Sequence, residues 1–150
     1  MSIKYDNRGS GGNDMEDKIK HLEFIQQSIN RMSTNSFTIK GWSITVVSAL
    51  LALFATNNDK MFILIALVST ILFAFLDAYY LQIERKFRGI YNDVAGLTNE
   101  GNRIIVRPFE MPLNKYQGCK YCYFKVLFST SVIWLYGVIV VGLILLYIHC

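Results

Sequence analysis

The sequence is poor in the residues from which catalytic and metal sites are usually built. Its 150 residues include only two histidines and three cysteines, whereas a structural zinc site alone needs four ligands. No nucleophile with a neighbouring base and no glycine-rich phosphate-binding loop is recognisable. We therefore expect no enzymatic activity, no metal and no cofactor.

The sequence also lacks enough chain outside its apolar blocks to form a large soluble core. Hydrophobic residues make up 53% of the chain and are concentrated at about 37–56, 61–81 and 123–148. A membrane-spanning helix needs about 20 apolar residues, and in lipid each segment must satisfy its own backbone hydrogen bonds. The sequence thus predicts an all-α membrane protein whose three transmembrane helices lie in a lipid bilayer.

Basic residues are almost absent from the segments at one end of these helices. Lys60 is the only Lys or Arg between the first two spans, and none follows the third. The residues before the first span and segment 82–122 are rich in them. The positive-inside rule therefore places the N-terminus and 82–122 in the cytoplasm, with 57–60 and the C-terminus outside.

The segments that flank the spans differ in character. Residues 1–14 are rich in Gly and Asn, so we expect a disordered leader, and Met15 is a second candidate for the natural start. Residues 15–36 have apolar residues at every third or fourth position, which predicts a cytoplasmic amphipathic helix. The STNSF joint after it is compatible with a kink or with one continuous helix.

A second apolar seam continues from the second span into the cytoplasmic helix and loop of 82–122. We expect it to pack on the apolar stripe of 15–36, in the same chain or in a neighbour. Ile104–Val106 is a candidate for one short strand, and Pro108 and Pro112 exclude regular structure around them. The residues of the seam are Tyr80, Ile83, Phe87, Ile90, Val94 and Leu97.

Two opposite charges lie inside the apolar spans. Lys40 and Asp77 are each about one turn from the cytoplasmic end of their helix, and the short 57–60 turn makes these helices antiparallel neighbours. Because a carboxylate inside a bilayer costs roughly 2.5–3.5 kcal/mol, we predict an intramembrane ion pair. Alternatively, Lys40 snorkels to lipid phosphates and Asp77 reaches interfacial water.

Segment 82–122 carries a set of basic residues, hereafter the basic set. One interpretation is a topology marker that contacts lipid headgroups. The other is a binding site for a phosphate-bearing ligand or short nucleic acid, with nearby aromatic rings that stack on bases. The candidate ligand-binding residues are Arg85, Lys86, Arg88, Arg103 and Arg107.

The sequence GCKYC holds Cys119 and Cys122, for which the cytoplasm disfavours a disulfide. We interpret the aromatic residues around it as an interfacial belt. Small and hydroxyl residues such as Ser48 and Ala52 mark one face of the first span and favour either close helix contact or a narrow wet path. Since three helices are too few to enclose a pore, conduction requires an oligomer.

Two long motifs resemble a family of small bacterial membrane effectors of anti-phage defence. They are FIQQSINRMSTNSFTIKGWS at 24–43 and LDAYYLQIERKFRGIY at 76–91, followed by FEM at 109–111, where the family usually has Phe-Ser-Met. The resemblance covers roughly residues 16–125 and is strongest to the Hailong-type channel effectors.

The resemblance implies a homo-oligomeric ion channel, with four subunits expected, in the bacterial inner membrane. A partner nucleotidyltransferase would make short DNA oligomers, or a related nucleotide ligand, that hold the channel closed, and their loss would depolarise the membrane. The basic set would then bind the ligand. The main alternative is a non-conducting scaffold or adaptor that recruits a cytoplasmic partner. A small transporter subunit is a third possibility, disfavoured because no discontinuous helix is evident.

Overall fold

Helices dominate the computed structural model, which describes residues 10–107, 109–118 and 121–149 and contains no strand within them. Helix α1 is Ser10–Asn57 and α2 is Met61–Ala95. A short α3, Tyr123–Leu127, precedes α4, Thr130–His149. Helices α1, α2 and α4 are long and apolar enough to cross a membrane. The predicted all-α membrane architecture with three spans is therefore confirmed.

Helices α1 and α2 form a long hairpin closed by a tight turn. Asn58 has a positive φ of 55°, a conformation that Asn tolerates better than most residues. The Asp59 side chain accepts a hydrogen bond of 2.9 Å from the backbone N–H of Met61 and so starts α2. The two helices consequently run antiparallel, and the N-terminal half of α1 lies beside the C-terminal half of α2.

Helix α1 runs without interruption through the STNSF joint, so the continuous-helix alternative describes this part of the chain. It begins at Ser10, inside the segment 1–14 that we predicted to be disordered, which corrects that boundary; residues 1–9 lie outside the described residues. Extending a formed helix adds residues without a new nucleation step. The Gly-rich composition of 1–14, considered alone, gave no sign of this extension.

The N-terminal half of α1 and the C-terminal half of α2 pack on each other within one chain. A left-handed Gly96, with φ of 79°, ends α2, and the backbone N–H of Leu97 reaches back to the carbonyl of Asn92 at 2.8 Å. From Ile83 to Val94 the apolar seam packs on the stripe of the preceding helix, as expected, whereas Leu97, its last predicted member, is 71% exposed. The core cluster consists of Ile25, Ile29, Phe87, Ile90, Val94 and Tyr116.

The third span differs from the single helix predicted for 123–148. The chain is broken at Phe128–Ser129, where Ser129 has extended backbone angles, and Ile133–Gly137 forms a π-helical turn. The Ser129 side chain accepts a hydrogen bond of 2.8 Å from Arg85 Nη2. A hydropathy pattern cannot register such a break, because Phe128 and Ser129 fit an apolar helix equally well.

The described residues between Gly96 and Cys122 are irregular and include the helical turns Glu100–Asn102 and Leu113–Lys115. The candidate strand at Ile104–Val106 is extended but pairs with no strand among the described residues. Its Ile104 N–H points instead at the Asp93 carboxylate, 3.4 Å away. The loop therefore folds onto α2, and Ile104, Val106 and Tyr116 pack in the core cluster, whereas Ile105 is 86% exposed.

Candidate functional site

A polar cluster lies between α1 and α2 inside the apolar region. Lys40 Nζ lies 2.6 Å from Asp77 Oδ2 and donates a hydrogen bond of 2.8 Å to Oδ1. Ser36, one turn before Lys40, donates a second hydrogen bond to Oδ1 and accepts one of 2.9 Å from Lys40. The structure thus brings together the two charges that the sequence singled out and adds a hydroxyl.

Burial of this pair is unequal. The Asp77 side chain is 0% exposed, whereas that of Lys40 is 20% exposed. A fully buried carboxylate depends on its partners for stabilisation, while a long lysine side chain can move its ammonium toward the membrane surface. Asp77 is therefore the fixed member of the pair, and Lys40 the movable one.

The third span also reaches this cluster. Tyr136 lies in the π-helical turn of α4 and is 4% exposed. Its hydroxyl is buried beside the Asp77 carboxylate, within range of a hydrogen bond to it. All three spans consequently meet at Asp77.

A second feature is a face of α1 that we call the α1 hydroxyl face. Its residues are spaced alternately four and three apart and are all exposed in the single chain. Thr38 and Thr45 donate hydrogen bonds of 2.9 and 3.0 Å to carbonyls one turn earlier, which leaves their oxygens able to accept. The face comprises Thr34, Thr38, Gly41, Thr45, Ser48 and Ala52.

The structure distributes the basic set rather than gathering it. Arg85 is bound to Ser129 at the joint before α4. The Arg103 guanidinium donates to the backbone carbonyl of Asp93 at 2.9 Å, near the far end of α2. Arg107 lies in the loop, where its N–H contacts the Glu110 carboxylate at 3.3 Å, and Lys86 is half-buried.

Arg88 is the member of the basic set that adjoins a polar cavity. Its side chain is 61% exposed and lies 2.7 Å from Glu84, one turn earlier and nearly buried. The adjacent cavity, of about 290 Å³, lies in the groove between α1 and α2. Side-chain amides, a hydroxyl and a tyrosine surround it: Gln26, Ile29, Asn30, Ser33, Tyr91 and Asn92.

This lining matches planar, hydrogen-bonding ligands better than lipid tails. Three amide side chains can donate and accept along the edge of a heterocycle, Tyr91 supplies an aromatic ring, and Arg88 supplies the cation for a phosphate. Arg103 belongs to a different cavity, of about 560 Å³, whose walls include the acidic residues Asp14, Asp17 and Glu100. That second cavity is poorly suited to a polyanion.

A buried carboxylate holds the loop on the core cluster of α1 and α2. Asp93 is 4% exposed and accepts a hydrogen bond of 2.5 Å from the Tyr116 hydroxyl. Burial, together with this hydrogen bond and the charge of Asp93, raises the pKa of Tyr116. Gly89 makes room for the ring, since a Cβ there would lie 2.9 Å from a Tyr116 ring carbon. Tyr116 is thus a core residue and not part of an interfacial belt.

The FEM turn is fixed on α1 by a histidine. His21 is buried, and its Nε2 lies 3.1 Å from the carbonyl of Glu110. Phe109 adopts a positive φ of 61° and packs on the rings of His21 and Phe24. The turn therefore connects the 24–43 motif to the loop through direct contact.

Sequence patterns missed several of these residues. Ser36 could have been found from its position one turn before Lys40 on the same helix face. Tyr136 gave no signal, because one tyrosine in an apolar span is typical of membrane helices. Asp93 was hidden among other polar residues of a solvated helix end.

No metal-like grouping of three or more His, Cys, Asp or Glu side chains occurs in the part of the chain that the structure describes. Cys122 is exposed and free, and Cys119 lies outside that part. The chain matches no protein-family model, and comparisons with curated proteins and with solved structures found no match.

Proposed function

We propose that this chain is the subunit of a homo-oligomeric ion channel that a short oligonucleotide gates from the cytoplasm. The observation that carries the proposal is the α1 hydroxyl face. It extends along the membrane part of α1, on the opposite side of the helix from Ser36, Ser43 and Val47, which are buried. In a single chain this face would meet lipid.

The composition of the α1 hydroxyl face indicates that it contacts something other than lipid. The exposed faces of α2 and α4 carry large apolar side chains, for example Val68 and Leu72 on α2 and Trp134 and Val138 on α4. Hydroxyls bonded to their own helix are tolerated in lipid, but small residues give little contact with it. A row of them favours a helix–helix contact or a water-filled lumen.

A closed ring of subunits would give this face both a helix–helix contact and a water-filled lumen. Spacing of alternately four and three residues keeps one face turned toward a common axis, so each copy of α1 would contribute hydroxyl oxygens to the lumen. Gln27 and Arg31 continue the same face toward the cytoplasm and are exposed. The pore would then have a polar lining and a basic cytoplasmic mouth.

The Arg88 cavity is the best candidate for the ligand site. It combines a cation, an aromatic ring and three amides within one groove, which is the chemistry that a phosphate linked to a nucleobase requires. It also lies between α1 and α2, so a ligand there would contact the helix that lines the proposed pore. The resemblance to anti-phage effectors supports a short DNA oligomer made by a partner nucleotidyltransferase.

Opposing substitutions in one ion pair test the ligand site. Arg88→Gln is expected to weaken binding of a short single-stranded DNA and to flatten its salt dependence by less than about one unit of log–log slope. Glu84→Gln frees Arg88 from its carboxylate and is expected to tighten binding. A mere loss of stability would move both variants in the same direction.

The matched control is Lys115→Gln, which removes one charge from the loop outside the Arg88 cavity. It should leave affinity and slope unchanged. Equal weakening by Lys115→Gln and Arg88→Gln would mean that general positive charge, and not the cavity, attracts the DNA. Binding measurements on purified protein in nanodiscs over a range of salt concentrations separate these outcomes.

A scaffold remains the second candidate because large apolar residues are exposed near the cytoplasmic end of α1. Met15, Ile19 and Phe24 are at least half exposed, and such a patch fits a protein partner. Recordings from planar bilayers distinguish the two functions. A channel conducts as purified protein in at least one ligand condition, whereas a scaffold conducts in none.

We propose that the protein lies in the inner membrane of a bacterium, with its N-terminus and the 96–122 loop in the cytoplasm and its C-terminus outside. The charge distribution supports this orientation. Release of a ligand that holds the channel closed would then depolarise the membrane during phage infection.

A further inference from the structure

Large apolar side chains are exposed on two sides of the N-terminal half of α1. Met15 and Ile19 are 61% and 50% exposed and lie about one turn apart on one side of the helix. Phe24 is 51% exposed and lies about two and a half turns beyond Met15, which places it on the opposite side. We call Met15 and Ile19 the Ile19 patch, and Phe24 with Phe109 and Met111 of the loop the Phe24 patch.

The Phe24 patch is held in one conformation. Phe109 has a positive φ of 61°, which is unfavourable for a bulky residue, and yet about half of its side chain is exposed. Its ring lies on those of His21 and Phe24, with centroids 5.9 and 6.2 Å away. Strained residues of this kind cluster at functional sites. A strained backbone that presents an aromatic ring at the surface favours a partner that covers the ring.

The two patches have borders of opposite charge. Acidic residues share the face of Ile19 and basic residues share the face of Phe24, at spacings of three, four or seven residues. The bordering residues, all exposed, are Glu16 and Glu23 for the Ile19 patch and Lys20 and Arg31 for the Phe24 patch. Asp17 is also on the Phe24 side, but it lines the larger cavity there. Each patch is therefore more complementary to the other patch than to a second copy of itself.

The geometry of α1 lets copies join these patches around the proposed pore axis. Phe109 lies on His21, about half a turn beyond Ile19, so the two patches are at similar levels along the helix. Gln27, which continues the α1 hydroxyl face, lies between them, about 80° around the helix from Ile19 and about 60° from Phe24. In a ring with the hydroxyl face on its axis, each copy would therefore present one patch to each neighbour.

We infer that the Ile19 patch of one copy binds the Phe24 patch of the next copy, so that the N-terminal halves of α1 close a head-to-tail ring. The inference rests on the homo-oligomer proposed above and names the surface through which its copies bind. A head-to-tail contact uses two different surfaces of each copy, which agrees with the opposite charges of the two borders.

Substitutions that exchange charges give one test. Phe24→Glu places a carboxylate opposite the acidic border of the next copy, and Ile19→Lys places an ammonium opposite the basic border. Each change should raise the dissociation constant of the oligomer in detergent by at least about tenfold. Both changes in one chain should recover part of the loss, since the new charges attract each other across the contact. Misfolding would not be cured in this way, and losses that add up would overturn the inference.

Cross-linking between single-cysteine variants tests the contact directly. With Ser at all three native cysteines, one full-length chain carries Ile19→Cys and a second chain, with a longer tag, carries Phe24→Cys. Co-expressed and treated with a flexible bismaleimide, the two chains should give cross-linked heterodimers, whereas either variant alone should give none. Leu97→Cys, at an exposed residue outside both patches, is the control and should not be cross-linked to Phe24→Cys.

The remaining outcomes separate this inference from the proposed function. Cross-linking of Ile19→Cys with itself would indicate a two-fold contact and overturn the inference. If no sample is cross-linked while the parent protein still has the mass of an oligomer, the inference is wrong and the homo-oligomer stands. A monomeric parent protein would contradict both and would leave the patches to a different protein.

Discussion

At the scale of single residues, the decisive feature is that one carboxylate on α2 collects its partners from the other two spans. Asp77 is fully buried, while Lys40 and Ser36 approach it from α1 and Tyr136 from α4. Buried charges are retained only when they are compensated. The fold of the membrane region therefore depends on this residue more than on any single apolar contact.

A double-mutant cycle measures that dependence. Lys40→Met leaves a lone buried carboxylate, and Asp77→Asn leaves a less compensated ammonium, so each single change should cost about 3–5 kcal/mol of unfolding free energy. The double change should cost clearly less than the sum, because both charges leave together. Denaturant titration in micelles provides the measurement, and strict additivity would favour snorkelling of Lys40 over pairing.

Tyr116 gives a prediction about the pH dependence of stability in the loop that packs on α2. Its pKa is raised in the folded protein by burial and by Asp93, so the neutral phenol contributes stability that is fully present below the unfolded value of about 10. That contribution is lost as pH rises from there through the raised folded pKa. The melting temperature should therefore decline above pH of about 10, and less steeply in Tyr116→Phe.

Tyr116→Phe should also be less stable than the parent at neutral pH, by about 1–3 kcal/mol, because Asp93 loses its hydroxyl donor. Tyr79→Phe, at an exposed position of α2, is the control and should change neither quantity. An unchanged alkaline slope in Tyr116→Phe would show that other groups govern the decline. Tyr121, whose pKa burial also raises, accounts for a residual slope.

At the scale of helices, the joint between α3 and α4 is held by one polar contact. Arg85 Nη2 donates to the Ser129 hydroxyl at 2.8 Å, next to the extended backbone that separates the two helices. Arg85→Gln and Ser129→Ala should each speed hydrogen exchange at the first amides of α4, and the double change should add little further. Arg88→Gln, one turn away on α2, is the control and should leave those amides unaffected. Fully additive effects of Arg85→Gln and Ser129→Ala would mean that Arg85 and Ser129 act separately.

The helices themselves were predictable and their irregularities were not. Apolar periodicity located the three spans and the apolar seam, because burial of Phe87, Ile90 and Val94 repeats with the helix. Antiparallel geometry was enough to place Lys40 beside Asp77. Neither argument predicts the break at Ser129 or the π-helical turn that contains Tyr136, since both depend on tertiary contacts of single side chains.

The basic set shows the same limit for the ligand site. Five positive residues within one segment suggested one patch, but a helix and a loop present them in different directions. Arg85 is used for packing and Arg103 for holding the loop. The sequence could not distinguish these structural roles from the ligand-binding role that we propose for Arg88. The distinguishing features are its neighbours from α1, Gln26, Asn30 and Ser33.

At the scale of the whole molecule, the single chain is a hairpin with a third helix packed beside it and one unusual face left over. Val47, Phe54, Ile63, Ala66 and Leu143 form the apolar cluster that joins the three spans. The α1 hydroxyl face takes no part in it. We therefore propose that this face lines the axis of a homo-oligomer, with α1 as the pore-lining helix.

The most direct test of this assignment is block of single-channel current by a water-soluble, charged thiol reagent. The protein would carry Ser at Cys119, Cys122 and Cys150 and a single new cysteine, in a planar bilayer. We predict that the reagent reduces the current through Thr45→Cys and Ser48→Cys, since a thiol in a wet lumen ionises and reacts. Val68→Cys, on the exposed apolar face of α2, should be unaffected. Undiminished current through both α1 variants, or no current under any ligand condition, would contradict the account.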